Sequence, residues 1–188
     1  MEGGKEMRKL LALDIGEVCI QLNPVAHTEE LAGDLSVLLA ALEDMECGRI
    51  GEDEFFARAS KKLNREHHEL RDWFGGIIGA EMPGMAKVIE RILPEWDFVF
   101  ISDISSPHLA LCRTKISFFH HAVGAVYSFD AGCRKPSAGM YEYFEKNYGV
   151  PDLYVDDRPQ NIAAAVERGW RSRQFLSVSD LENHFNML

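Results

Sequence analysis

Two rhythms divide the apolar and polar positions of the chain. Leu10-Leu11-Ala12-Leu13 is an apolar run without alternation, the pattern of a strand covered on both faces, and it stops on Asp14. The polar, glycine-containing stretch before it, Met1 to Lys9, reads as partly disordered. Over residues 34–46 the spacing turns helical, with Leu35, Leu38, Leu39, Leu42 and Met45 on one buried face and Asp34 as N-cap. Gly48 and Gly51 break that helix. A second starts near Glu52 with Phe55, Phe56, Ala59 and Leu63 inward, and a third carries Leu70, Trp73, Phe74 and Ile77 before Gly75, Gly76 and Gly79 loosen it. A fourth, after Pro83, buries Met85, Val88, Ile89 and Ile92 and ends before Pro94. Residues 23–82 therefore read as wholly helical.

From residue 97 strands and helices alternate. Phe98–Ile101 is a strand ending at Ser102-Asp103, followed by a helix from Ser106 to Phe118 and a strand Ala125–Ser128. A helix over 137–148, a strand Leu153–Val155, a helix over 159–168 and a strand Arg173–Leu176 complete the pattern. Such alternation implies a parallel sheet with helices on both faces. The expected fold is α/β: a doubly wound, Rossmann-like parallel-sheet core built from residues 1–22 and 83–188. A small helical cap, residues 23–82, is inserted after the first strand. The chain shows neither an internal repeat nor a low-complexity segment.

Composition narrows the partners. With 188 residues the chain suffices for one domain carrying an inserted lobe. A net charge of −10 argues against nucleic acid, which needs a basic surface. It does not argue against a phosphate ligand, because local donors or a divalent cation can reverse the local field. Cys19, Cys47, Cys112 and Cys133 show no Cys-x-x-Cys spacing, and no leader precedes them, so they read as reduced thiols. No apolar run is long enough for a bilayer. The expectation is a soluble, cytoplasmic protein with no membrane partner.

Reactive residues fall at one edge of the expected sheet: Asp14 after the first strand, Ser102-Asp103 after the second, Arg134-Lys135-Pro136 in the loop after the third, and Asp156-Asp157 after the fourth. Parallel strands bring such termini to one crevice. Carboxylates around one point suit Mg²⁺, and a lysine and a serine hydroxyl suit a transferring phosphoryl group. An aspartate can serve as the nucleophile. Each residue also has a plainer reading: Asp156-Asp157 as a cap on the helix near Pro159, Lys135 as a loop lysine, Ser102 as a turn residue. Two adjacent acids exceed what a cap requires. The pairs His67-His68 and His120-His121 face different ways on a helix and read as surface residues. Trp73 and Phe74 read as cap core, one of them able to roof a substrate pocket.

Taken in order, Asp14-Ile15-Gly16-Glu17-Val18, Phe98 to Ser102 with Asp103, Arg134-Lys135-Pro136 and Val155-Asp156-Asp157-Arg158-Pro159-Gln160-Asn161 resemble the four motifs of the haloacid dehalogenase-like (HAD) hydrolase superfamily, mostly Mg²⁺-dependent phosphatases. They look most like the sugar-phosphatase branch related to epoxide hydrolase N-terminal domains. The resemblance implies Asp14 as nucleophile and Mg²⁺ ligand, the Gly16 carbonyl as a second ligand, Ser102 holding phosphate, and Lys135 orienting Asp14. It also implies a metal role for Asp157 with Asp156 beside it, the direct ligand of the two left open. Most relatives carry an acid/base Asp where this chain has Gly16, and Glu17 points away from Asp14 on an extended backbone. Asp103, where the branch usually has Asn, is then a candidate proton donor. The implied activity is hydrolysis of a small phosphorylated metabolite, a sugar phosphate being the class the branch suggests, through an aspartyl-phosphate on Asp14. The alternative is a catalytically impaired binding or regulatory protein on the same scaffold. A receiver-like phospho-acceptor ranks lower, because the acid pair follows the fourth strand and not the first. Dehalogenation ranks lower too, because it needs no metal site.

Overall fold

The computed structural model describes residues 8–23 and 35–187; the lead-in before Arg8, the expected N-cap Asp34 and the side chain of Leu35 lie outside the described residues. Five strands make one parallel sheet in the order β5-β4-β1-β6-β7. They are β1 (Lys9–Leu13), β4 (Trp96–Ser102), β5 (Gly124–Tyr127), β6 (Leu153–Asp156) and β7 (Ser172–Gln174). The chain builds outward from β1 through β4 to β5, then crosses to β6 and β7 on the other side. β1 is therefore central, with Leu11 opposite both Phe98 and Leu153. The chain reverses direction across the sheet here, the place where such folds leave a crevice beyond the strand ends.

The unbroken apolar run of β1 is explained by the two layers it touches. Leu11 and Leu13 join Phe98, Phe100 and Val155 in one core cluster, whereas Ala12 joins Val99, Ile101 and Tyr154 in the other. The two-residue period of a strand sends alternate side chains to opposite layers, and both layers are apolar. Covering them are α4 (Met85–Ile92), α5 (Ser106–Lys115), α7 (Ala138–Tyr148), α8 (Pro159–Glu167) and α9 (Val178–Asn186), with a one-turn α6 (Ser128–Ala131) after β5. Helix α4 buries Met85, Val88, Ile89 and Ile92, as its spacing implies. Helix α9 has no counterpart in the expected elements. None of the described helices is long and apolar enough to cross a membrane, and the four cysteines are free thiols.

Between β1 and α4 stand α1 (Leu35–Glu46), α2 (Glu52–Leu63) and α3 (His67–Gly76), with a core of their own around Leu38, Met45, Phe55, Phe56, Leu70 and Phe74. Two expectations need correction. The segment 23–82 is not wholly helical: Ile78–Glu81 forms strand β3, antiparallel to a short β2 (Ile20–Leu22). The third helix ends at Gly76, within the expected glycine run, but Ile78 and Glu81 then pair with Leu22 and Ile20 of β2, and a short polar-edged pair leaves little periodic signal. Leu39, expected on the buried face of α1, is 63% exposed. A stripe of four leucines is wider than the face that α2 and α3 cover.

The junction of the helices with the core is close. Gly48 follows α1 with φ +68°, and a Cβ there would lie 2.5 Å from the main-chain oxygen of Phe129. Both the left-handed backbone and that approach exclude a side chain. Gly48→Ala is expected to lower stability by about 2 kcal/mol or more, read as a shift of the urea midpoint.

Candidate active site

The site grows from the end of β1. The Asp14 N–H still donates to the Val155 carbonyl (3.0 Å), so the sheet ladder fixes the residue's backbone. One carboxylate oxygen, Oδ1, accepts from the Ile15 N–H (2.7 Å) and lies 2.9 Å from Lys135 Nζ. Oδ2 takes no donor from the described residues.

Lys135 is buried, and its ammonium uses three donors on three strand ends. Besides Asp14 it reaches Asp156 Oδ2 at 2.7 Å and the Ile101 carbonyl at 2.9 Å. Burial alone would lower the pKa of this ammonium, but Asp14, Asp156 and Asp103 together hold it above the ordinary range. Asp156 is wholly buried and saturated with donors. Beyond Lys135 it accepts from the Tyr154 hydroxyl (2.5 Å), the Arg158 N–H (2.8 Å) and the Asn161 amide (3.0 and 3.1 Å). Burial works against its charge, yet Lys135 and these donors bring its pKa below the usual value. Asp14, with fewer donors, moves the other way: burial raises it, Lys135 opposes, and Asp156 adds to the rise. The Asp157 pKa is also raised, by burial and by Asp156.

One carboxylate oxygen from each of Asp14, Asp156 and Asp157 lies within 4.8 Å of the others. Three carboxylates so close repel one another and suit a small divalent cation. Because both oxygens of Asp156 already accept hydrogen bonds from the protein, Asp14 and the half-buried carboxylate of Asp157 are the better fitted ligands.

Ser102 ends β4, buried, and its hydroxyl has no partner among the described residues. Next to it, Asp103 Oδ1 accepts from the Lys135 N–H (2.9 Å), and its Oδ2 lies 3.7 Å from Arg134 Nε. Burial raises the Asp103 pKa against the pull of Lys135. Gly16 lines the cavity above these residues. Glu17 takes a positive φ of 54° and spends its carboxylate on the Leu22 N–H (2.7 Å). His67, His68, His120 and His121 are exposed, as expected.

The sequence reading passed over Glu46, Tyr154 and His108. Glu46, in the last turn of α1, faces Arg134 Nε at 3.2 Å, and burial pushes its pKa up to about 7 against that arginine. Its neighbours Glu43 and Asp44 gave it the look of an ordinary charged turn. Tyr154 lies two residues before Asp156 on the same strand face, a spacing that was there to be read. His108, on α5, donates from Nε2 to the Phe74 carbonyl (2.9 Å) and stacks on the Phe74 ring at 3.8 Å.

No protein-family model matches the chain, and no curated protein matches it. Solved structures do. A HAD family enzyme from Bacteroides thetaiotaomicron superposes with TM-score 0.84 at 14% identity, over 95% of this chain and 98% of that one. The same enzyme in complex with magnesium and inorganic phosphate gives 0.80 at 14% identity, over 92% and 96%. L-2-haloacid dehalogenase from Xanthobacter autotrophicus, with chloropropionic acid covalently bound, gives 0.64 at 14% identity, over 93% and 81%. At such identities the likeness establishes the fold. The chain has the fold of the HAD superfamily, the one its four motifs resemble.

Burial lowers the His108 pKa from 6.5 to about 4. Between those values the unfolded chain binds a proton that the folded chain refuses, so stability falls as pH drops from 6.5 towards 4. The loss through this group reaches about 3 kcal/mol. His108→Gln, which keeps a donor for the Phe74 carbonyl, is expected to lack that part of the acid loss when urea midpoints are compared across pH.

Proposed function

We propose that this chain is a Mg²⁺-dependent phosphatase that hydrolyses a small phosphorylated metabolite through an aspartyl-phosphate on Asp14. The observation that carries the reading is the Asp14–Lys135–Asp156 network with Asp157 beside it, at the crevice end of the central strand. The complex of the Bacteroides enzyme with magnesium and inorganic phosphate supports it. Asp14, the Gly16 carbonyl and Asp157 would hold the cation, and Asp156 serves by anchoring Lys135. When bound, Mg²⁺ neutralises and orients the phosphoryl oxygens.

The protein's own groups carry out the transfer. Asp14 Oδ2 attacks phosphorus while Lys135 fixes Oδ1 and balances the growing charge. The Ser102 hydroxyl donates to a phosphoryl oxygen. Asp103 is the proton donor in place of the acid missing at Gly16. Its raised pKa and its place beside the Lys135 main chain suit the task. It protonates the leaving oxygen, then takes a proton from the water that cleaves the aspartyl-phosphate, releasing inorganic phosphate and restoring Asp14. The covalently trapped ligand in the Xanthobacter dehalogenase keeps dehalogenation in view on this fold, but three clustered carboxylates favour a cation-assisted reaction.

Hydrolysis of p-nitrophenyl phosphate is expected to need Mg²⁺, to stop with EDTA, and to fall on the order of a thousandfold or more in Asp14→Asn. Absence of turnover from the folded wild type across a panel of phosphate esters would give the place to the binding or regulatory reading. Asp103→Asn is expected to slow alkyl phosphates about 100-fold, with a much smaller loss for p-nitrophenyl phosphate, whose leaving group needs no proton. At Gly16 a Cβ meets only the Leu22 side chain, at 3.4 Å, so Gly16→Asp fits and is expected to restore part of that loss.

A further inference from the structure

A cavity of about 770 Å³ lies between the crevice end of the sheet and the helices. Its floor is polar, formed by Gly16, Ser102 and Asp103. Its ceiling is different in kind. Leu38, Leu42, Trp73 and Ile77 come down from the helices, and Leu22 and Ile78 close one side from the β2–β3 pair.

The polar groups among its described lining are outnumbered by apolar ones, and several already face a protein partner. Glu46 faces Arg134, and the same arginine lies near Asp103. Glu43 pairs with Arg49. The ring nitrogen of His108 serves the Phe74 carbonyl, and its face is stacked on Phe74. The ceiling therefore offers few partners for hydroxyl groups that would lose water on entering, and an unpaired buried hydroxyl is costly. Charge excludes a second phosphate as well. Three carboxylates, Asp103, Glu43 and Glu46, border the space against Arg134 and the exposed Arg158. Leu39, 63% exposed, continues the apolar surface out to the rim.

We infer that the cavity accepts the monophosphate ester of an uncharged, apolar alcohol or phenol, with the phosphate on the floor and the organic group under the helices. The inference rests on the phosphatase reading for its chemistry. It departs from the sugar phosphate that the sequence resemblance suggests. A polyol would find the ceiling closed to its hydroxyls, whereas an aryl or branched alkyl group would displace water from apolar walls.

Non-hydrolysable phosphonates test the class without relying on turnover. With Mg²⁺ present, benzylphosphonate is expected to bind at least tenfold tighter than methylphosphonate or 2,3-dihydroxypropylphosphonate, measured by calorimetry. Trp73→Ala is expected to erase most of that advantage. Leu39→Asp, at an exposed position that does not threaten folding, is expected to reduce it. Equal binding of the three ligands, or preference for the dihydroxypropyl compound, overturns the inference. Turnover of acetyl phosphate, which needs only the floor, tests the phosphatase reading separately. Its absence would defeat that reading while leaving the phosphonate series to decide what the ceiling accepts.

Discussion

One buried ammonium organises the structure. Lys135 sits where three strand ends converge, and each of its donors meets a different strand: Asp14 after β1, the Ile101 carbonyl in β4, Asp156 in β6. Removing an ammonium from water costs several kcal/mol, which only near-complete pairing offsets. The surrounding residues follow from that demand. Asp156 must stay ionised, so Tyr154, Asn161 and the Arg158 N–H gather around it. Asp14 shares the lysine through a single oxygen, which leaves the other without a donor among the described residues. Two carboxylates joined by one lysine thus acquire opposite pKa shifts.

Much of this was legible in the sequence, for reasons that differ by residue. Asp14 and Asp156 are charges that end apolar strands, and a parallel sheet must bring such ends together. The α4 stripe was legible because its face is covered along its full length. The difference in surroundings between Asp156 and Asp157 was not, since adjacent acids look alike until the donors around one of them are seen. Glu46 was also illegible. Its burial depends on Arg134, 88 residues further along, and nothing local marks it. The β2–β3 pair escaped because each strand is three or four residues long and their partnership spans more than fifty residues.

Arg134 stands between two environments. It faces Glu46 from α1 on one side and, at greater distance, Asp103 from the sheet edge on the other. The helices thus meet the polar floor through charge as well as through apolar packing, and His108 adds a neutral contact through Phe74. A charge relay of this kind ties the position of α1 to the electrostatics beside Lys135.

The paired strands β2 and β3 have a further consequence. They lie at the departure and the return of the helical segment, and hydrogen bonds extend their pairing from Asn23 with Ile77 to Met82 with Cys19. Their ends are therefore held side by side by the ribbon itself. To the sheet, the whole excursion behaves as a tight loop, and the entropy of closing it is met locally at the ribbon. Away from the contacts that Glu46, Gly48 and Phe74 make with the core, length and composition between the two strands can change with little effect on the parallel sheet beneath. The fold separates a part that must keep its charges in register from a part that, beyond those contacts, is free to be rebuilt.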